Sequence, residues 1–81
     1  MMIVPNPTQD RIQVVFNSNY NLEAAIQLNA IDGSILEQKR LLATEGQNVV
    51  EFDLSHLPEG IYFAAIQIRG EITVKKVIKL K

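Results

Sequence analysis

The amino-acid sequence predicts an all-β fold, an antiparallel β-sandwich of about seven strands, on three observations. Apolar residues recur at every second position along successive segments. Turn-forming Asn, Asp, Gly and Pro residues separate those segments at short, regular intervals. In Leu22 to Ala30, the stretch where helix is the rival, apolar residues recur at every second position rather than at three and four. The 81 residues make one domain, 1–81, and a chain of this size buries only roughly 60% of its unfolded surface. There is no cysteine, so neither disulfides nor thiolate metal sites contribute, and a hydrophobic content of 47% has to stabilise the fold by packing alone.

Taken in order, the chain begins with Val4-Pro5-Asn6-Pro7-Thr8, where two prolines remove donors and hold their predecessors extended. Residues 1–8 therefore read as an extended, Pro-rich lead-in, with a first short strand around Ile3. Arg11 to Asn17 alternates with Ile12, Val14 and Phe16 inward, and Asn17 to Asn21 is a polar loop. Leu22 to Ala30 has good helix formers, but Leu22, Ala24, Ile26, Leu28 and Ala30 recur in twos, which predicts a strand.

Asp32-Gly33 suits a tight hairpin with positive φ at both central residues, so Ile35 to Leu42 returns antiparallel. Its Glu37-Gln38-Lys39-Arg40 centre is polar on both faces, as in a charge-protected edge strand. After a turn at Ala43 to Gln47, Asn48 to Leu54 turns Val50, Phe52 and Leu54 inward, and a short helical turn capped by Asp53 or Ser55 is predicted next.

Leu57-Pro58-Glu59-Gly60 is a corner leading into the strand Ile61 to Ile68, with Tyr62, Ala64, Ile66 and Ile68 on the core parity. A tyrosine at such a corner, near the start of the penultimate strand, buries its ring and bonds its hydroxyl to nearby backbone in immunoglobulin-like sandwiches. Tyr62 fits that role. Arg69-Gly70-Glu71 is the last hairpin signal. In the final strand, Ile72 to Leu80, the apolar parity is Ile72, Val74, Ile78 and Leu80, and Lys76 falls on it, which predicts a bulge or a side chain reaching out at a sheet edge.

Several functions are disfavoured by the bulk properties. A net charge of −1 with interspersed signs gives no field for a nucleic acid or an anionic membrane. The longest apolar run, Ile61 to Ile66, is far short of the ~20 residues that span a bilayer. Met1-Met2-Ile3-Val4 has neither the basic region nor the length of a signal peptide, so the chain is either cytosolic or a piece of a longer exported protein. Asp53, Ser55 and His56 are the one close acid, hydroxyl and imidazole set, but neighbours on a turn seldom converge as a catalytic triad does, and they read as caps and a solvated imidazole. Asn6-Pro7-Thr8 is disqualified as a glycosylation acceptor by its proline, and Asp32-Gly33-Ser34 lacks the other ligands of a calcium loop. From Glu71 onward, Lys75, Lys76, Lys79 and Lys81 face a single acid, which reads as a solvated face or as a patch for a partner.

Four landmarks occur in a specific order: Pro5-Asn6-Pro7-Thr8, Asp32-Gly33, Leu57-Pro58-Glu59-Gly60-Ile61-Tyr62-Phe63 and Lys75-Lys76-Val77-Ile78-Lys79. Together, over nearly the whole chain, they resemble the type A C-terminal sorting domain of type IX secretion cargo in Bacteroidota. One departure is Val4, where the family commonly has an aromatic before Pro-Asn-Pro.

The resemblance implies an address label and no enzymatic activity or cofactor. Such a domain follows an N-terminal cargo domain through the periplasm and engages type IX shuttle and translocon components at the outer membrane. A sortase-like cysteine protease then usually removes it, leaving cargo at the cell surface or outside the cell. The resemblance further implies that Pro5, Asn6 and Pro7 shape the lead-in from the linker, that Gly33, Leu57, Pro58, Gly60 and Tyr62 maintain the scaffold, and that Lys75, Lys76, Lys79 and Lys81 belong to the recognised signal; a physical mechanism consistent with it is recognition of a folded surface that combines the free edge of the last strand with its lysines. The alternative reading of the same sandwich is a fibronectin-like adhesive or carbohydrate-binding module that stays attached to its enzyme.

Overall fold

A computed structural model describes residues 1–81 as seven strands: β1 (Met2–Val4), β2 (Arg11–Ser18), β3 (Leu22–Ala30), β4 (Ile35–Ala43), β5 (Gly46–Asp53), β6 (Gly60–Ile68) and β7 (Glu71–Lys79). They form two antiparallel sheets, one ordered β1-β2-β5 and the other β4-β3-β6-β7. The period-two pattern decides which residues meet between them. Ile12, Val14 and Phe16 of β2, Phe52 of β5 and Leu54 just beyond it are buried on one side, and Ala24, Ile26 and Leu28 of β3 with Tyr62, Ala64 and Ile66 of β6 on the other. Fully burying a side chain such as Phe52, Ile12 or Leu54 stabilises the fold by about 1.5–3 kcal/mol. This one cluster replaces the disulfides the chain lacks.

β4 is the outer strand of its sheet, as its charged centre predicts, and it turns one of those charges inward. Lys39 is half-buried, lies 4.9 Å from the centroid of the Phe52 ring and donates to the Glu51 carbonyl on β5. An inward-pointing ammonium on an edge strand obstructs pairing with further strands. Between Leu28 and Asn29 of β3 the register with β4 slips and leaves Leu36 unpaired, a bulge that also disrupts this edge.

Four expectations need correction. First, the turn with positive φ at both central residues sits at Arg69 (φ 54°) and Gly70 (φ 79°), where a two-residue loop joins β6 to β7. At the other hairpin only Gly33 (φ 92°) is left-handed. There the Gly33 N–H bonds to the Ala30 carbonyl, the Ala30 N–H bonds to the Ser34 carbonyl, and three residues form the loop. Asp32 stabilises the loop from its side chain, since its Oδ1 accepts from the Ser34 N–H at 2.9 Å and the Ser34 hydroxyl at 2.7 Å.

Second, the segment after β5 is a turn without a helix. The Leu57 N–H reaches the Leu54 carbonyl at 3.0 Å, and Asp53 Oδ1 accepts from the Ser55 N–H at 2.9 Å.

Third, β7 faces the opposite way from its apolar pattern. Val77 is fully buried and Lys79 nearly so, while Ile72 (64% exposed), Val74 (55%) and Leu80 (42%) face solvent and Ile78 is half-buried. The cause is the two-residue turn. It pairs Ile68 with Glu71, hence Ile66 with Thr73, Ala64 with Lys75 and Tyr62 with Val77, and directly opposed residues share a face. Fourth, the bulge is absent: the same continuous register carries Lys76 outward opposite Phe63, so of the two alternatives for Lys76 the side chain reaching out at the sheet edge holds.

Candidate docking site on the last strand

Lys75 and Lys76 are exposed on opposite faces of β7, and Lys81 is exposed beyond its end. Lys79 differs from the other three. It is 6% exposed, shares the inward parity with Val77, and its Nζ donates to the Leu80 carbonyl at 3.0 Å. The folded domain exposes the side chains of Lys75, Lys76 and Lys81, whereas Lys79 is part of the packing. Lys76 is flanked on the outer face by an apolar surface made of the cross-strand pairs Ile61–Ile78 and Ala65–Val74 and by Phe63 opposite it.

The edge of β7 is closed over its second half by the N-terminal segment. Asn6 Nδ2 donates to the Lys76 carbonyl at 2.8 Å, and Asn6 Oδ1 accepts from the Ile78 N–H at 3.0 Å. Thr8 continues the ladder: its N–H bonds to the Ile78 carbonyl at 2.9 Å and its carbonyl accepts from the Leu80 N–H at 2.7 Å, a short parallel bridge. Asn6 thus presents a side-chain amide where a neighbouring strand would present a peptide group. Pro5 and Pro7 flank it with no N–H left unpaired. Buried Thr8 also donates through its hydroxyl to the Arg11 carbonyl at 2.7 Å, which ties the lead-in to β2. The edge role of Asn6 and all of Thr8 escaped the sequence reading, in which residues 1–8 are simply an extended lead-in. The available signal was the Pro-x-Pro spacing, which leaves Asn6 as the sole residue there with a complete set of donors and acceptors.

At the corner, the Tyr62 ring is buried and its hydroxyl donates to the Pro58 carbonyl at 2.6 Å. Leu57 packs against the core cluster, and Gly60 begins β6. Of the exposed aromatics, Tyr20 lies under the Arg69 guanidinium, 4.4 Å from its ring centroid, in a polar groove that also contains Asn17, Asn19 and Glu71. Phe63 is half-buried.

Asp53, Ser55 and His56 are not assembled as a catalytic set. The Asp53 carboxylate is turned to Ser55, whose hydroxyl and backbone N–H hold its pKa below the ordinary 3.8, and no hydrogen bond links His56 to either residue. No group of three or more His, Asp or Glu side chains is placed to hold a metal ion, and no helix is long and apolar enough to cross a membrane. A family model described as the secretion system C-terminal sorting domain matches residues 2–80. No curated protein matches the chain.

Proposed function

The chain belongs to the family of secretion system C-terminal sorting domains, the type IX export signals, and from that membership we propose that it is the detachable address of a larger cargo protein. The family is one of sorting signals, not of catalysts, and its signal implies export to the cell surface or the extracellular space. In this reading the cargo folds in the periplasm with the sandwich at its C-terminal side. The sandwich engages type IX shuttle and translocon components, and a sortase-like cysteine protease at the outer membrane then removes it.

The observation that carries the reading is the extent of the match, residues 2–80, which takes in the whole sandwich from β1 to the end of β7. Recognition of a folded surface is supported by the exposed ammonium group of Lys76 on an apolar outer face, with Lys75 exposed on the opposite face and Lys81 exposed beyond the end of the strand. Apolar contact supplies affinity, and charge supplies selectivity and on-rate. The motif residues Pro5, Asn6, Pro7, Gly33, Leu57, Pro58, Gly60 and Tyr62 act in this scheme by keeping that surface in shape.

The test fuses the domain, behind a signal peptide and short linker, to a folded fluorescent reporter in a host with an intact type IX system. Reporter at the surface or in the medium, with the domain removed, is the expected result. Retention in the periplasm with the domain intact, while an established sorting domain exports the same reporter, would replace this reading with that of an attached binding module.

A further inference from the structure

Most of the sheet edges carry a device against further pairing. β1 is three residues long, β4 has its bulge and inward Lys39, β5 has its Glu51 carbonyl occupied by that lysine, and β7 is covered at Lys76, Ile78 and Leu80 by Asn6 and Thr8. Glu71 to Lys75 has none of these. It pairs regularly with β6 on one side, without a bulge, and with nothing on the other. The groups bound by Asn6 and Thr8 belong to even-numbered residues, so along this edge the peptide groups of Ile72 and Val74 also point outward and lack partners. Ile72 and Val74 are the most exposed apolar side chains of the strand.

We propose that Glu71 to Lys75 pairs antiparallel with the same stretch of a second copy of the chain, about a two-fold axis through Thr73. A two-fold contact requires a self-complementary surface, and this register supplies one at every position. Ile72 opposes Val74 of the second copy, and because both have outward peptide groups, each such pair exchanges two N–H to carbonyl bonds. Glu71 opposes Lys75 of the second copy on the other face, and neither has an ionic partner within its own chain. Thr73 meets Thr73 on the axis as a pair that exchanges no backbone bonds. Moving the axis to Val74 opposes Glu71 with buried Val77 and runs the second strand into Asn6. Moving it to Ile72 opposes Glu71 with Thr73 and drives the pairing into the Arg69-Gly70 turn. The Thr73 axis joins two four-stranded sheets into one of eight strands and merges their apolar outer faces. The pairing rests on the edge geometry and not on the export reading, and it engages Lys75, which that reading also uses.

Sedimentation of the purified 81-residue chain from about 10 µM to about 1 mM, a range that detects even weak association, tests the pairing. A concentration-dependent monomer–dimer equilibrium is expected. Glu71→Lys and Lys75→Glu should each weaken the dimer about tenfold, since like charges then oppose each other twice per dimer, and the double variant should restore it. The chain has no cysteine of its own, so Thr73→Cys should cross-link to itself on mild oxidation, while Val49→Cys on the outer face of the other sheet should not. A monomer throughout the range would overturn the proposal, as would a double variant no tighter than the singles or equal cross-linking at both cysteines. If Thr73→Cys fails to fold, the charge swap alone decides, because Glu71 and Lys75 are both exposed.

Discussion

The side-chain oxygen of Asn6 accepts the backbone N–H of Ile78 at 3.0 Å across 72 positions of sequence, and the same amide group donates to the Lys76 carbonyl. One side chain thus satisfies two peptide groups on the edge of β7. Each net hydrogen bond is worth about 0.5–1.5 kcal/mol, so Asn6→Ala should destabilise the domain by about 1–2 kcal/mol. Asn6→Asp should not rescue it, because a carboxylate keeps the acceptor for Ile78 but turns an acceptor toward the Lys76 carbonyl. Thermal unfolding checks this, and an unchanged midpoint for Asn6→Ala would show that water replaces the amide at no cost.

The Tyr62 hydroxyl is part-buried and has the Pro58 carbonyl as its partner at 2.6 Å. Tyr62→Phe keeps the ring and removes one bond, at a cost of about 1 kcal/mol, which in a domain of this size lowers the melting midpoint by roughly 4–8 °C. Tyr62→Ala should cost about 3–5 kcal/mol because the buried ring is lost as well. Equal midpoints for the wild type and Tyr62→Phe would remove the corner bond from the account of stability.

Asp32 and Asp53 both have pKa values below the ordinary 3.8, Asp32 through the N–H and hydroxyl of Ser34 and Asp53 through the hydroxyl and N–H of Ser55. A carboxylate with a depressed folded pKa contributes stability that is fully present above its unfolded pKa and is lost as pH falls through the folded value. Stability at neutral pH therefore includes both turns, and it should decline below about pH 4. In Asp32→Asn and Asp53→Asn that decline should be shallower. Melting midpoints measured from pH 7 to pH 2 distinguish the cases: parallel curves for wild type and variants would mean that neither turn drives the acid sensitivity.

The legibility of the fold depended on how many constraints converged at each residue. Ile12, Val14, Phe16, Ala24, Ile26, Leu28, Phe52, Tyr62, Ala64 and Ile66 are buried as their alternation indicates, because a strand covered on one face by a second sheet has that pattern imposed on it. β7 reads wrongly for a physical reason. Its apolar residues Ile72, Val74 and Ile78 lie on the parity left uncovered, and pattern alone cannot distinguish a core from an outer face that is also apolar. The register counted from the two-residue Arg69-Gly70 turn would have placed Val77 opposite Tyr62, and hence inward. The candidate site was half legible. Lys75, Lys76 and Lys81 are exposed, but the burial of Lys79 follows from that parity, and the contact of Asn6 with β7 joins the two ends of the chain, a relation that no local pattern encodes.

That division of the lysines leads to the last prediction. Replacing Lys75, Lys76 and Lys81 together with Gln removes three exposed charges and no intrachain ion pair. The melting midpoint should therefore move by no more than the equivalent of about 0.5 kcal/mol. Export of a fused reporter should fall at least about tenfold if these charges steer the domain to its receptor, since steering of this kind raises on-rates by roughly 10–1,000-fold. Lys79→Gln acts differently. It shortens a side chain whose stem is packed and whose ammonium binds the Leu80 carbonyl, so it should lower the melting midpoint, and export should fall only in proportion to the folded fraction. Reporter fluorescence in the medium, measured beside thermal unfolding of each purified variant, separates the two effects. Undiminished export of the triple variant would exclude the exposed lysines from recognition and leave the apolar outer face around Phe63 and Val74 as the surface to mutate next.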